Sequence, residues 1–175
     1  MLSFFTIYII ITMPELPEIE VVKRSLFKMI NKARIKDIKI NNKNLRYKIN
    51  SSFSEKLINN KILKVSRRSK YLIFHFNDKI LLIHLGMSGK LLLKRISDKM
   101  LFKTSFYYDL NLLQKHNHIY FMLNNNCTLI YNDVRRFGFF KLYENLDLEK
   151  ITFLKKLGPE PFSNLFDVKY FIKFS

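Results

Sequence analysis

The residues best placed to do chemistry lie in the stretch Met13-Pro14-Glu15-Leu16-Pro17-Glu18. If Met13 is the initiator and is removed, Pro14 becomes the first residue and its nitrogen a secondary amine. Such an amine has a pKa near the ~7.7–8.0 of α-amino groups, so a useful fraction is neutral and nucleophilic at neutral pH. Attack on an electrophilic carbon would leave an iminium, the Schiff-base logic that lysine uses elsewhere. In a polypeptide that begins at Met1 the same nitrogen is a tertiary amide with no lone pair to offer. The stretch also has a plainer reading, as a proline at a helix entry followed by a first-turn acid that satisfies the helix dipole.

Four other clusters carry polar groups at informative spacing. RRSKYL (67–72) sets Arg67, Arg68 and Lys70 before an apolar run, and strand alternation would send Arg68 and Lys70 to one face. On residue types alone it reads equally well as a solvated basic strand end. HLGMSG (84–89) is a strand that turns sharply at Gly86 and Gly89, with His84 read as structural and Met87 as core packing by default. KHNH (115–118) places His116 and His118 two apart, on one face of a strand, but no third ligand lies nearby and no metal site is expected. NDVRRFG (132–138) puts Arg135, Arg136 and Phe137 beside Gly138, as in a basic hairpin tip that touches phosphates. The single cysteine, Cys127, excludes an internal disulfide and reads as a buried structural thiol.

The elements that must position these groups follow from periodicity. Ile19, Val22, Leu26, Met29 and Ile30 recur at helical spacing, which predicts an amphipathic helix over 17–29 with Pro17 in its first turn. RIKDIKI (34–40) alternates as a strand does, and 52–60 predicts a short helix capped by Ser52 or Ser54. Strands are expected over 62–76, 79–94, 118–125, 127–134 and 137–144, with turns at Asn77-Asp78 and Asn124–Asn126. Ser97 to Asn117 reads as a long loop, 147–156 as a short helix, and LGPEPF (157–162) as a boundary. The sum is an α+β fold, a mostly antiparallel β-sandwich with flanking helices. It divides into an apolar extension (1–12), a catalytic sandwich domain (13–157), and a linker with the start of a second domain (158–175).

Composition narrows the partners. Thirty-one Lys and Arg stand against 14 Asp and Glu in 175 residues, a formal charge of +17. That favours a polyanion, nucleic acid before an acidic membrane surface, although an AT-rich genome inflates lysine counts as well. The opening MLSFFTIYIIIT is twelve residues long, too short to span a bilayer, which needs about 20. It also lacks the basic flank and cleavage site of a signal peptide. It reads either as the product of a start codon assigned too far upstream, the favoured expectation, or as a genuine extra segment.

The chain has only four glycines and four prolines, and every one falls in PELPE, HLGMSG, RRFG or LGPEP. These motifs, in this order and with RRSKYL after the first, resemble the formamidopyrimidine-DNA glycosylases from Met13 to the end. PELPE resembles this branch more than the related endonuclease VIII type. The resemblance implies removal of oxidised purines (8-oxoguanine, formamidopyrimidines) from double-stranded DNA in base-excision repair. Pro14 would form the Schiff base, and β-elimination would then cut the strand. It implies Glu15 as the proton donor that helps open the sugar and Lys70 as a second catalytic residue. His116 would be a phosphate contact. Met87, Arg135 and Phe137 would fill the gap left by a flipped nucleotide, with Arg135 pairing the orphaned cytosine. Asn117 stands where the family has Asp, and Val134 where it has Pro or Thr.

By the same resemblance a full-length protein continues into a helix–two-turns–helix module and a four-cysteine zinc finger. The expectation from the residues present is therefore a lost half of the DNA clamp and no cofactor in this chain. A monomer in the bacterial cytoplasm, on nucleoid DNA and with no membrane partner, completes the picture. The alternative is a catalytically inactive remnant that binds DNA non-specifically.

Overall fold

The computed structural model describes residues 14–95, 101–103, 112–144 and 147–174. Helix α1 (Leu16–Ile30) opens it and buries Ile19, Val22, Leu26 and Ile30, the stripe that the 3.6-residue period dictates. Pro17 occupies the first turn, where no backbone donor is lost, and the Glu15 N–H donates to Glu18 Oε2 at 3.1 Å. Strand β1 (Ile35–Ile40) and the short helix α2 (Phe53–Leu57) follow. Then come β2 (Lys64–Arg68), β3 (Tyr71–His75), β4 (Ile80–His84), β5 (Lys90–Arg95) and β6 (Leu101–Lys103). A 3-10 turn (Gln114–His116) leads into β7 (Asn117–Leu123), β8 (Cys127–Asn132) and β9 (Phe139–Tyr143). A second 3-10 turn (Leu148–Lys150), α3 (Thr152–Lys155) and α4 (Val168–Phe174) close the described chain.

Two antiparallel sheets result, one ordered β1-β7-β8-β5-β6 and the other β2-β3-β4-β9. Their facing sides and the apolar stripe of α1 share one core, which includes Leu72, Phe74, Leu81, Ile83, Leu91, Leu93, Ile119, Phe121, Leu129 and Tyr131. A second cluster forms behind the four-stranded sheet, where Ile73, Ile80, Leu82 and Phe139 meet Ile151 and Leu154 at the start of α3. Strand β4 is covered on both faces, which is why its sequence, ILLIH, is an unbroken apolar run rather than an alternation. No described helix is long and apolar enough to cross a membrane.

The expected sandwich with flanking helices is the one observed. Several boundaries differ from the sequence reading, each for a local reason. Residues 62–76 are a hairpin rather than one strand, because Ser69 adopts a left-handed φ of 51° and reverses the chain. Residues 79–94 split at HLGMSG into β4 and β5, which belong to different sheets. The loop expected over 97–117 contains β6, paired with β5; residues 96–100 and 104–111 lie outside the described part. The helix expected over 147–156 is a 3-10 turn and a single turn of α3, interrupted at the buried Ile151. Ser52 does sit at the start of α2 but makes no side-chain cap, since its Oγ donates to Asn50 Oδ1 instead. The twelve-residue apolar extension also lies outside the described residues.

Two glycines let the β4–β5 turn and the RRFG segment touch. Gly86 has φ +69°, and a Cβ there would lie 2.6 Å from the Phe137 carbonyl carbon and the Gly138 nitrogen. A Cβ on Gly138 would lie 1.9 Å from the Tyr131 hydroxyl oxygen and 2.6 Å from the His84 carbonyl oxygen. Neither backbone can retreat without breaking a strand. Gly138→Ala is therefore expected to cost on the order of 3 kcal/mol, read as a shift in the urea midpoint at unchanged slope.

Candidate active site

The site begins where α1 begins. Pro14 is buried directly ahead of the helix, and Glu15 occupies its N-cap position with extended backbone. Lys70 stands at the tip of the β2–β3 hairpin. Its Nζ lies 2.8 Å from Glu15 Oε1 and 2.7 Å from Oε2. Two residues 55 positions apart in sequence thus form an ion pair immediately behind the proline. Both side chains keep access to solvent, at 30 % exposure for Lys70 and 53 % for Glu15. The pair is open to a substrate rather than sealed in the core.

The positive φ at Ser69 separates Lys70 from Arg68, so the shared face expected from strand alternation does not exist. Arg67 and Arg68 turn instead toward Glu160 of the LGPEP segment. Arg67 Nη2 donates to Glu160 Oε2 at 2.7 Å, Arg68 Nη1 to Oε1 at 3.0 Å, and the Ser69 N–H to Oε1 at 2.6 Å. Arg68 also donates to the carbonyls of Leu157 and Gly158. Arg67 Nε reaches Glu20 of α1 at 3.0 Å, and Glu20 accepts from Lys23 and Arg24 as well. One carboxylate from the helix and one from the C-terminal segment therefore clamp the hairpin whose tip carries Lys70. Burial pushes the Glu20 carboxyl up, but the bonds from Lys23, Arg24 and Arg67 outweigh it and hold the pKa at about 2.

The second half of the site is organised by Asp133, which is 0 % exposed. Its Oδ1 accepts from the Ser88 hydroxyl and from the Arg135 N–H at 3.2 Å. Its Oδ2 accepts from the Tyr131 hydroxyl at 2.7 Å and from the Gly138 N–H at 3.0 Å. Its carbonyl bonds His118 Nε2 at 2.7 Å, and its own N–H donates to the His116 carbonyl at 3.0 Å. Ser88 adds a bond from the Arg135 N–H at 3.0 Å. HLGMSG, KHNH and NDVRRFG are thereby locked together, and Met87, Arg135 and Phe137 ride on the locked loops. The Arg135 guanidinium lies over the Phe137 ring, 4.4 Å from its centroid, and both side chains are exposed. Burial, and then the neighbouring Asp133 charge, push the Tyr131 hydroxyl far above its ordinary pKa, so it stays a donor.

His84 joins the two halves. Its Nδ1 accepts the Gly86 N–H at 3.0 Å, and its ring stacks on Phe139 at 5.5 Å. Burial lowers its pKa, with further lowering from the charges of Arg46 and Lys70. A neutral, acceptor imidazole is what that bond requires, in keeping with the structural reading of His84. His116 does not share a strand face with His118. It ends the 3-10 turn, partly buried, whereas His118 lies buried in β7 beside a register shift between Asn117 and Ile119. Asn117, where the family carries Asp, only accepts through its side chain from Asn132 Nδ2 at 2.7 Å, a role that either residue fills.

Cys127 is buried at the start of β8, after the expected Asn124–Asn126 turn. Among the described residues no group of three or more His, Cys, Asp or Glu is placed to hold a metal ion. With one cysteine, the residues of this chain do not fit the four-cysteine zinc site of the full-length family, and no step below runs through a metal.

The arrangement brings Glu15 and Lys70 together beside Pro14 in the chain and gathers Met87, Arg135 and Phe137 on loops joined through Asp133, with His116 tied in by its backbone. Sequence reasoning missed Asp133, Ser88, Glu20 and Glu160. Ser88, Asp133 and Glu160 lie within motifs already singled out; for Ser88 and Asp133 a polar residue in a motif that holds a buried glycine was the available signal.

Comparison with known proteins agrees with this geometry. The family model for the formamidopyrimidine-DNA glycosylase N-terminal domain matches residues 13–140. A formamidopyrimidine-DNA glycosylase of Bartonella tribocorum is 43 % identical over 166 residues, covering 92 % of this chain and 55 % of the relative. One from Rickettsia conorii is 42 % identical over 159 residues, covering 90 % and 53 %. Among solved structures, the Lactococcus lactis Fpg bound to DNA with an abasic site superposes with a TM-score of 0.74 at 34 % identity, covering 91 % of this chain and 55 % of that one. The same protein with N7-benzyl-Fapy-dG DNA gives 0.75 at 32 % identity, over 92 % and 55 %. The chain spans about half the length of the curated relatives it matches.

Two outcomes follow from the networks. Glu20 has a folded pKa below its ordinary 4.5, so its contribution to stability is fully present above about pH 4.5 and lost as pH falls toward 2. Glu20→Gln should lower the melting temperature at neutral pH and flatten the acid limb of a melting-temperature series across that window. Asp133→Asn presents an amide N–H₂ to a pair of donors. It should cost on the order of 2–3 kcal/mol in urea unfolding and speed amide exchange at Arg135 and Gly138.

Proposed function

We propose, from the premise that this chain belongs to the formamidopyrimidine-DNA glycosylase family, that it excises oxidised purines from duplex DNA and cleaves the abasic site so formed. The single observation that carries this reading is the Glu15–Lys70 ion pair set directly behind Pro14. That the family match begins at Met13, one residue ahead of the proline, supports a working polypeptide that starts there.

In this reading the neutral Pro14 nitrogen attacks C1′ of the damaged nucleotide. The C1′–base bond breaks, and the base leaves with its electron pair and a proton. Glu15, protonated for the step, gives a proton to the ring oxygen as the sugar opens, leaving a Pro14–C1′ iminium. The iminium draws electrons from C2′, a C2′ proton is lost, and the 3′ phosphate departs by β-elimination. Water then releases the amine. Lys70, paired with Glu15 in the structure, reaches the phosphate of the lesion nucleotide. The steps draw on side chains and the terminal amine alone.

Arg135 and Phe137 are placed to enter the duplex together, since the guanidinium is already stacked on the ring. Insertion of this pair with Met87 occupies the space of the flipped nucleotide and lowers the cost of unstacking it. His116, whose carbonyl accepts from the Asp133 N–H, serves as a phosphate contact. The charge of +17 supplies the attraction to DNA before any specific contact forms. The protein acts as a monomer, on the nucleoid of the bacterial cytoplasm.

Borohydride reduction of the iminium tests the proposal. A polypeptide begun at Met13 should be trapped covalently on a duplex with 8-oxoguanine opposite cytosine, and one that retains Met1–Thr12 should not. Glu15→Gln and Lys70→Ala should each slow trapping by roughly 100-fold or more. No adduct from the Met13 polypeptide, beside a relative that traps under the same conditions, would refute the activity.

A further inference from the structure

A second cationic feature adjoins the site and has no part in the reaction above. A cleft of about 630 Å³ is lined by Asn44, Leu45, Arg46, Arg135, Arg136 and Phe137. Three arginines line this space and, among the described residues, no carboxylate does. Asp133, two residues before Arg135, is fully buried, and both its oxygens are taken up by hydrogen bonds.

Arg46 is delivered to the cleft by a fixed backbone. The loop 41–50 is fastened at one end by Asn41, whose N–H donates to the His118 carbonyl at 2.8 Å and whose side chain donates to the Asn117 carbonyl at 3.0 Å. In its middle the Arg46 N–H donates to the Gly138 carbonyl at 3.2 Å, and the buried Leu45 and Ile49 anchor it in the core. Next to Arg46, Tyr47 packs edge-on against Phe139 at 5.0 Å. The Arg46 side chain is exposed, and its charge acts on the same His84 as that of Lys70. Arg46 therefore shares a cleft with the exposed Arg135–Phe137 pair, on a backbone held by Gly138.

We infer that Arg46, with Arg136, forms a seat for one DNA backbone phosphate beside the inserted Arg135–Phe137 pair. The inference rests on the DNA reading above but assigns a role to residues outside the proposed chemistry. Guanidinium suits the task because its planar fork meets two phosphate oxygens at once, and a pre-anchored loop loses less entropy on binding than a free one. Arg135 itself is committed to the stack on Phe137, which leaves Arg46 and Arg136 to hold the backbone.

The test is binding of the full chain to an undamaged duplex by fluorescence anisotropy across a KCl series. Each phosphate contact contributes about −0.9 to the slope of log K against log salt. Arg46→Ala should make the slope shallower by roughly that amount and weaken binding several-fold, with its melting temperature unchanged. Arg46→Lys should keep the slope. Replacing phosphates one at a time by neutral methylphosphonates should find a single position at which wild type and Arg46→Ala become equal. If wild type binds and Arg46→Ala keeps its slope, the phosphate seat is overturned and the glycosylase reading stands. If wild type binds no duplex, both fall together.

Discussion

A single buried carboxylate holds in shape the half of this molecule that carries Arg135 and Phe137. Asp133 is surrounded by four donors from four places: the Ser88 hydroxyl, the Tyr131 hydroxyl, and the N–H groups of Arg135 and Gly138. Removing a carboxylate from water is costly unless its lone pairs are satisfied, and here they are satisfied by donors from two loops and from β8. The cost of burial and the cost of ordering two exposed loops are met by the same bonds. This is why the loop between β8 and β9 can hold Arg135 and Phe137 out toward solvent while its ends stay fixed. The glycines belong to the same constraint: Gly86 and Gly138 are where the two loops press backbone to backbone, and a side chain at either would push Asp133 off its partners.

The other half follows a different physical rule. Glu20 and Glu160 are partly exposed, and each is shared between arginines rather than buried among neutral donors. Isolated surface pairs contribute little, but a chain of them that spans α1, the β2–β3 hairpin and the LGPEP segment restricts three elements at once. The hairpin tip needs that restraint, because Ser69 holds a left-handed backbone conformation that a serine does not favour. The Ser69 N–H bond to Glu160 fixes this turn, and the turn aims Lys70 at Glu15. Arg67 and Arg68 are thus structural cations, whereas Lys70 pairs with Glu15 and Arg46 lines the cleft beside Phe137. The net charge conceals this division of labour.

Much of this was legible in the amino-acid sequence, and the rest was hidden for physical reasons. The α1 stripe, the strand runs, the turns at Asn77-Asp78 and Asn124–Asn126, and the buried Cys127 were readable because each depends on local periodicity or turn chemistry. The grouping of motifs was readable because scarce glycines and prolines mark where backbone geometry is demanded. The break inside RRSKYL was not, since nothing in a serine announces a positive φ; it is imposed by Glu160, 91 residues away. Nor were the partners of Asp133, which come together only when β4–β5 and β8–β9 pack. His116 and His118 show the limit of alternation as a guide: a register shift at Asn117 places one at the end of a 3-10 turn and the other in the core.

The proposed chemistry and the observed restraints make different demands on the same cations, and the geometry reconciles them. A nucleophilic amine must remain neutral for part of the time, yet a DNA-binding cleft must be positive, and a positive field favours the neutral form of an amine. The charge of Lys70 is matched by Glu15 at 2.7 Å, which moderates its field beside Pro14, just ahead of the helix. The unmatched guanidiniums of Arg46, Arg135 and Arg136 are gathered in their own cleft, where no reacting nitrogen is required. Separation of a charge-balanced reacting corner from a charge-rich binding cleft lets one small domain attract a polyanion without forcing its own nucleophile to choose between protonation and reach.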